Sequence, residues 1–283
     1  MSAEDTRPVL VAGAGGFIGG HLVDALLADG HAVRAVDIKP PHRWYQRHGG
    51  ATNAVSDLRL RDAAFAAVAG TKSIYNLACN MGGMGFIESN KAACMLNVLI
   101  DTHLLEAARN EQLDSYFYAS TACVYPGYLQ HDPDVTALKE ADTYPADPED
   151  GYGWQKLFGE RLCLNFGEDF GIPVRVGRYH NVYGPEGTWN GGREKAPAAI
   201  CRKVAEAVLS GTTEIEVWGD GEQSRSFMFI DDGIEGTRRL ASSSIETPLN
   251  IGSSELVTIN QLVDIVSSIG GIELERRHVA AAP

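Results

Sequence analysis

A short apolar run, Val9-Leu-Val-Ala12, passes directly into Gly13-Ala-Gly-Gly-Phe-Ile-Gly19, and this junction limits the fold more than any other stretch of the chain. Four apolar residues in a row suit a strand buried on both faces. Glycines at 13, 16 and 19 permit a tight turn whose backbone can approach another group closely. From Phe17 to Ala28, Ile18, Leu22, Ala25 and Leu26 fall near one face of a helix, which Asp29-Gly30 ends. His31 to Ile38 then reads as a second strand closing on Val36-Asp37. Together these pieces make one β-α-β unit.

A helix that starts behind such a turn offers unpaired amides and partial positive charge, which suit a pyrophosphate. Gly13, Gly16, Phe17, Ile18 and Gly19 are therefore the candidate cradle of a dinucleotide. Asp37 lies 18 residues beyond Gly19. A carboxylate there accepts hydrogen bonds from ribose hydroxyls and repels a 2′-phosphate, favouring NAD over NADP. Asp57 and Leu58 follow another strand-like stretch; they sit either near an adenine or in a plain loop.

Further strands are expected at Ser73 to Ala78, Ser115 to Ala119 and Val174 to Arg178, with helical patterns over Lys91 to Asn110 and Tyr152 to Phe170. Alternation of this kind predicts an α/β fold of the Rossmann type, a doubly wound parallel sheet. Beyond Tyr183-Gly-Pro185 the texture changes. Thr188 to Lys195 is a polar loop, Ala196 to Ser210 is helical, and Ile259, Leu262, Val263 and Val266 share a helix face. The expected division is a cofactor domain of residues 1–180 plus about 224–245, and a smaller C-terminal substrate lobe of about 181–223 plus 246–283.

The formal net charge of -13 argues against a nucleic-acid surface, which needs clustered Lys and Arg. No stretch approaches the length of a membrane span, and the polar start lacks a signal-peptide core. Five cysteines, at 79, 94, 123, 163 and 201, show no Cys-x-x-Cys spacing, so neither a disulfide framework nor a metal site is expected, and the cytoplasm is the natural compartment. His103, His180 and the other histidines lack ligand spacing.

Tyr152 and Lys156 are four apart on a helical pattern and so share a face. A phenol near its usual pKa of about 10 is a poor base at neutral pH, and an ammonium beside it favours the phenolate. The same lysine is placed to reach a nicotinamide ribose. Tyr118-Ala-Ser-Thr-Ala-Cys-Val-Tyr125 follows a strand, and a hydroxyl of Ser120 or Thr121 there would bind a substrate oxygen. Phosphate turn, tyrosine, lysine and hydroxyl together point to hydride chemistry on an alcohol or ketone.

Those motifs, with Asn181-Val-Tyr-Gly-Pro185 and Gly219-Asp-Gly-Glu-Gln-Ser-Arg-Ser-Phe227, resemble the extended short-chain dehydrogenase/reductase superfamily over nearly the whole chain. Asn80-Met-Gly-Gly-Met-Gly85, Ala122-Cys-Val-Tyr-Pro126 and Gly191-Gly-Arg-Glu-Lys-Ala-Pro-Ala-Ala199 are similar to runs of the GDP-mannose 3,5-epimerases within it. The resemblance implies NAD as cofactor, a GDP-sugar as substrate and a homodimer. It implies that Cys123 and Lys195 are the acid/base pair at the sugar carbons, that Tyr152 and Lys156 serve the redox step, and that Thr121 is the hydroxyl beside them. Gly82 and Gly83, with Gly85, would admit the hexose, while Asn181 and Arg225 would hold the diphosphate. Arg193 and Lys203 are either further substrate contacts or surface charges, and Trp218 is expected in the core. Members of that family continue past His278 to Pro283, so the resemblance also implies an incomplete second lobe.

The implied chemistry is coherent. A hexose C–H is too weak an acid for any side chain, but a ketone at C4 acidifies C3 and C5. Inversion then needs a base on one face and an acid on the other. A 4,6-dehydratase resembles the chain but has an Asp-Glu pair where Ala122-Cys123 stands. A 4-epimerase needs no acid/base pair at carbon, and a redox-sensing NAD-binding module needs no tyrosine, lysine and hydroxyl together.

Overall fold

A computed structural model describes residues 5–129 and 137–280. The first four residues, the segment 130–136 and the tail end at 281–283 lie outside the described residues. The chain runs β1 (Val9–Ala12), α1 (Phe17–Ala28), β2 (Val33–Asp37), β3 (Thr52–Val55), α2 (Arg61–Val68), β4 (Ser73–Asn76), α3 (Met84–Ser89), α4 (Lys91–Met95) and α5 (Val98–Ala108). It continues through β5 (Ser115–Thr121), α6 (Asp150–Phe170), β6 (Val174–Tyr179), β7 (Asn181–Tyr183), α7 (Ala196–Ser210) and β8 (Glu214–Trp218). The last elements are β9 (Ser224–Phe229), α8 (Ile230–Ala241), β10 (Leu249–Ile251), β11 (Leu256–Thr258), α9 (Ile259–Gly270) and β12 (Glu275–Val279).

Seven strands form one sheet in the order β10-β6-β5-β4-β1-β2-β3, and every pairing in it is parallel. The order reverses between β1 and β4, the topological switch point of a doubly wound sheet. All four residues of β1 are buried because helices cover both faces, which is why the sequence there is uniformly apolar. Leu22, Val23 and Leu26 of α1 pack on one face with Ile230, Ile234 and Leu240 of α8. Leu104 and Leu105 of α5 pack on the other with Ala64 and Val68 of α2 and Cys163 of α6. A separate cluster of Ile200, Val204, Ile215, Val217 and Val263 joins α7, β8 and α9.

Several elements differ from the sequence expectation. The helix expected over Lys91 to Asn110 is broken at Leu96-Asn97 into α4 and α5. The break frees the Asn97 side chain, 2 % exposed, to accept from the Asn80 amide at 2.7 Å and donate to its carbonyl at 3.2 Å. Helix packing yields here to fixing the loop after β4. Strand β5 runs two residues further than expected, to Thr121. Strand β10, within the stretch assigned to the smaller lobe, pairs with β6 in the large sheet. Outside that sheet, β7 and β11 flank β9, and β12 pairs with β8. Trp218 is half-exposed rather than in the core, its Nε1 donating to Glu216 at 3.2 Å. No helix among the described residues is long and apolar enough to cross a membrane.

Helix α6 lies unusually close to β5. An added Cβ at Gly159 would fall 2.1 Å from the Tyr118 hydroxyl, and one at Gly153 would fall 2.3 Å from the Cys123 carbonyl oxygen. A buried ion pair pins the same helix to β6. Arg178 donates from Nε to Glu160 Oε1 at 2.9 Å and from Nη2 to Oε2 at 2.7 Å, and both side chains are at most 3 % exposed. Ser120 completes the carboxylate by donating to Oε1. Removing one partner strands a buried charge, which costs about 3–5 kcal/mol. Arg178→Leu is expected to lose stability of that order, read as a fall in the urea midpoint at unchanged slope, whereas replacing Arg178 and Glu160 together by apolar residues of similar size costs less.

Candidate active site

At the switch point the carboxyl ends of β1, β4 and β5 open into a cavity of about 1230 Å³. It runs from the glycine turn past Tyr152 and Lys156 to Lys195, Pro197, Cys201 and Ala205 at α7. Its position outside the strand ends is where open α/β sheets bind ligands.

The glycine turn forms one end. Gly13 takes a left-handed φ of +86°, and Gly16 donates from its amide to the Gly13 carbonyl at 3.0 Å. An added Cβ at Gly19 would fall 2.2 Å from that same carbonyl oxygen, so α1 starts as near the turn as a helix can. Gly13, Gly16, Phe17, Ile18 and Gly19 all line the cavity. Asp37, 7 % exposed, accepts from the Gly15 amide at 3.0 Å and the Lys39 amide at 2.8 Å, one on each oxygen. Each oxygen keeps a further lone pair for a sugar hydroxyl. Lys39 donates from Nζ to the Gly15 carbonyl at 2.6 Å and lies over the Tyr45 ring, so it ties the turn to the loop after β2. Asp57 and Leu58 line the cavity, but the Asp57 carboxylate is engaged by Arg59 through bonds of 2.9 and 2.7 Å. These hydrogen bonds hold its pKa below the usual range. Cradle and carboxylate together fit a dinucleotide.

The reactive groups gather where β5 meets α6. Lys156, 2 % exposed, donates from Nζ to the Ala119 carbonyl at 2.8 Å and lies 4.7 Å from the centre of the Tyr118 ring. Tyr152 is 4 % exposed and stands beside Thr121. Burial pushes its phenol well above the usual value, nearby Cys79 and Cys123 push the same way, and Thr121 pulls it down. Of the two hydroxyls the sequence offers, Ser120 is committed to Glu160, while Thr121 lines the cavity next to the phenol. Beneath this layer the fully buried Asp101 accepts from Tyr118 at 2.9 Å, Asn76 at 2.9 Å and Gln155 at 2.6 Å. Burial raises the pKa of that carboxyl.

Cys123 and Lys195 are near enough to influence each other's charge. Burial raises the Cys123 pKa; the Thr121 bond and Lys195 oppose this, while Glu149 adds to it. Burial lowers the Lys195 pKa against the pull of Cys123. Relative to free side chains, the pair is shifted toward thiol and neutral amine. Lys195 stands just before α7 and donates to Asn181 Oδ1 at 3.2 Å, on β7. Lys195 lines the cavity, whereas Cys123 does not and packs in the cluster of Met81, Phe86 and Tyr152.

The other predicted residues divide. Gly82 and Arg193 line the cavity; Gly83, Asn181, Lys203 and Arg225 do not. Arg193 lies over the Phe86 ring at 3.8 Å, Lys203 donates to the Glu216 carbonyl at 2.8 Å, and Arg225 donates to the Ser224 carbonyl at 2.8 Å. Three polar neighbours went unread in the sequence: Lys39, Cys79 and Glu149. Only Lys39 carried a signal, its place two residues beyond Asp37.

Comparison with known proteins agrees with this geometry. Residues 9–252 match the NAD dependent epimerase/dehydratase family. Over 272 residues the chain is 45% identical to "GDP-mannose 3,5-epimerase 1" of Oryza sativa subsp. japonica, covering 96% of this chain and 71% of the relative. It is 43% identical over 277 residues to "GDP-mannose 3,5-epimerase" of Arabidopsis thaliana, covering 98% of this chain and 72% of that one. Among solved structures, a UDP-glucose 4-epimerase of Thermus thermophilus in complex with NAD superposes with a TM-score of 0.80 at 25% identity, covering 98% of this chain and 88% of the other.

The Gly19 contact yields a direct test. Gly19→Ala forces the turn and α1 apart, so the dissociation constant for NAD should rise by on the order of tenfold or more, a loss of about 1.4 kcal/mol at least. Calorimetric titration measures it, with far-UV circular dichroism as the check on folding.

Proposed function

Because the chain belongs to the NAD dependent epimerase/dehydratase family, we propose that it epimerises GDP-mannose at C3 and C5 through a 4-keto intermediate, giving GDP-L-galactose, with GDP-L-gulose as the C5-only product. The observation that carries this reading is the pairing of Cys123 and Lys195 beside Tyr152. A 4-epimerase needs only the tyrosine, lysine and hydroxyl. A 4,6-dehydratase needs an acid where Cys123 stands. A redox-sensing module needs none of them, and the relatives matched over most of the chain are epimerases.

NAD would lie along Gly13, Gly16, Phe17, Ile18 and Gly19, with its adenosine ribose on Asp37; when bound and oxidised it supplies a two-electron acceptor for C4 and a positive charge beside the phenol. Tyr152 takes the proton of the C4 hydroxyl, and Lys156, immobilised by Ala119, steadies the resulting phenolate. Thr121 holds the C4 oxygen in line with the phenol. Once C4 is a ketone, the hydrogens at C3 and C5 become acidic. Lys195 and Cys123 then remove a proton from one face and deliver one to the other. Arg193 and Gly82, at the cavity wall, are the sugar-side contacts. Asn181 positions Lys195; Arg225 and Lys203, which stand outside the cavity, take no part in this reading.

In this reading the strands and helices of residues 1–180, with about 224–245, hold the cofactor, and about 181–223 with 246–283 close on the sugar nucleotide. A second copy of the chain covers the apolar side chains exposed on α4 to α6, among them Met95, Leu99, Trp154 and Phe158, and the enzyme works in the cytoplasm, where five free thiols stay reduced.

Incubation of GDP-mannose with the protein in D2O is expected to place deuterium at C3 and C5, read by proton NMR. Deuterium at neither carbon, with a 4-epimer accumulating, overturns the reading. Tyr152→Phe should lower turnover by roughly 10²- to 10⁴-fold and leave no 4-keto sugar detectable on rapid quench. Cys123→Ala should stop deuterium entry without changing NAD affinity; undiminished exchange removes Cys123 from the mechanism.

A further inference from the structure

Five charged side chains are buried among the described residues: Asp37, Asp101, Lys156, Glu160 and Arg178. Glu160 and Arg178 neutralise each other, and Asp37 is bonded to the glycine turn at the far end of the cavity. One cation and one anion are left, and both lie against Tyr118. Lys156 forms no ion pair among the described residues; its Nζ donates to the Ala119 carbonyl at 2.8 Å and lies 4.7 Å from the centre of the Tyr118 ring. At the other end of that side chain the Tyr118 hydroxyl donates to Asp101 Oδ2 at 2.9 Å. Gln155, the residue before Lys156 on α6, donates to the same oxygen at 2.6 Å. Asn76 of β4 donates to Oδ1 at 2.9 Å. Glycine at 159 leaves room for this meeting, since a Cβ there would fall 3.0 Å from Asp101 Oδ2.

The bonding pattern is that of a carboxylate. All three partners donate to Asp101. The Asn76 and Gln155 amides turn their nitrogens toward it and leave their own buried oxygens without a partner among the described residues. An ionised acid only accepts, so it demands this arrangement; a protonated one would serve one of those oxygens. Burial raises the Asp101 pKa, and Lys156 leads the groups that oppose the rise. Tyr118 keeps its proton, pushed up by burial and by the carboxylate it bonds. A phenol that donates to an anion is richer in electrons, and its ring face attracts a cation more strongly. We propose that Asp101 is a positioning residue for the redox pair: it is the buried counter-charge of the Lys156 ammonium, acts through Tyr118, and holds Lys156 in place one helical turn from Tyr152. The catalytic half of this inference rests on the epimerase reading; the charge relation between Asp101 and Lys156 does not.

Two variants of the full chain test it. Asp101→Asn removes the charge and keeps the shape, and a turned Asn76 amide gives the new nitrogen its acceptor. Asp101→Asn combined with Gln155→Glu returns the charge one hydrogen bond away. Lys156 lines the cavity, so an ammonium without its counter-charge opposes the positive ring of NAD+ and not the neutral ring of NADH. Calorimetric titration with each cofactor should therefore show the affinity for NAD+ relative to NADH falling in Asp101→Asn by on the order of three- to tenfold, and recovering in the double variant. Turnover of GDP-mannose should follow, with kcat lower by roughly tenfold in Asp101→Asn at little change in KM, and most of it restored by the second substitution. Should Asp101→Asn fail to fold by far-UV circular dichroism, Tyr118→Phe keeps the ring, removes the link to Asp101 and is expected to lower the same affinity ratio. A ratio in the folded variant equal to that of the wild type overturns the proposal, as does a double variant that binds like the single one. A ratio that falls and is restored, in a protein that never labels GDP-mannose from D2O, supports the role of Asp101 and overturns the epimerase reading instead.

Discussion

The contact between α6 and the end of β5 governs the chemistry of this molecule. Neither Gly153 nor Gly159 has space for a methyl group, so the helix lies against Cys123 and Tyr118 at the shortest distance a backbone allows. That approach lets Lys156 reach the Ala119 carbonyl and sets Tyr152 beside Thr121. It also brings Glu149 to Cys123. The candidate site side chains at this seam are therefore placed by one packing event, and the Glu160–Arg178 pair fastens its outer side to β6. Because packed interiors relax only partly, a small change in this seam moves every one of those groups together.

What the sequence reveals is whatever depends on local spacing. The turn from Ala12 to Gly19 needs glycine at set intervals, and the end of α1 at Ala28 follows from Asp29-Gly30, so both were readable. The four-residue interval from Tyr152 to Lys156 was readable for the same reason. What stayed hidden depends on partners distant in the chain. Ser120 and Thr121 are equivalent hydroxyls until Glu160, forty residues on, claims one of them. The interruption of the helix at Leu96-Asn97 answers to the backbone of Asn80, which no periodicity shows. Asp57 reads as a free acid until Arg59 folds back on it. Helix α8 has strong helical alternation, yet it was not among the elements expected, because motifs rather than periodicity dominate that region.

Electrostatics in the site is set by burial more than by pairing. Desolvation moves Tyr152, Cys123 and Asp101 toward their neutral forms, and Lys195 likewise. The shared direction means that charging any of these four groups is opposed by the same loss of solvent.

The Asp37 carboxylate illustrates a further consequence. Two main-chain amides already fix its rotamer, and Lys39 and Tyr45 brace the loop beneath it. Little disorder remains for an incoming ribose to remove, and departure releases little freedom in return. Such a seat favours a long residence time, which suits a catalytic cycle that hands its redox partner back unchanged at every turn.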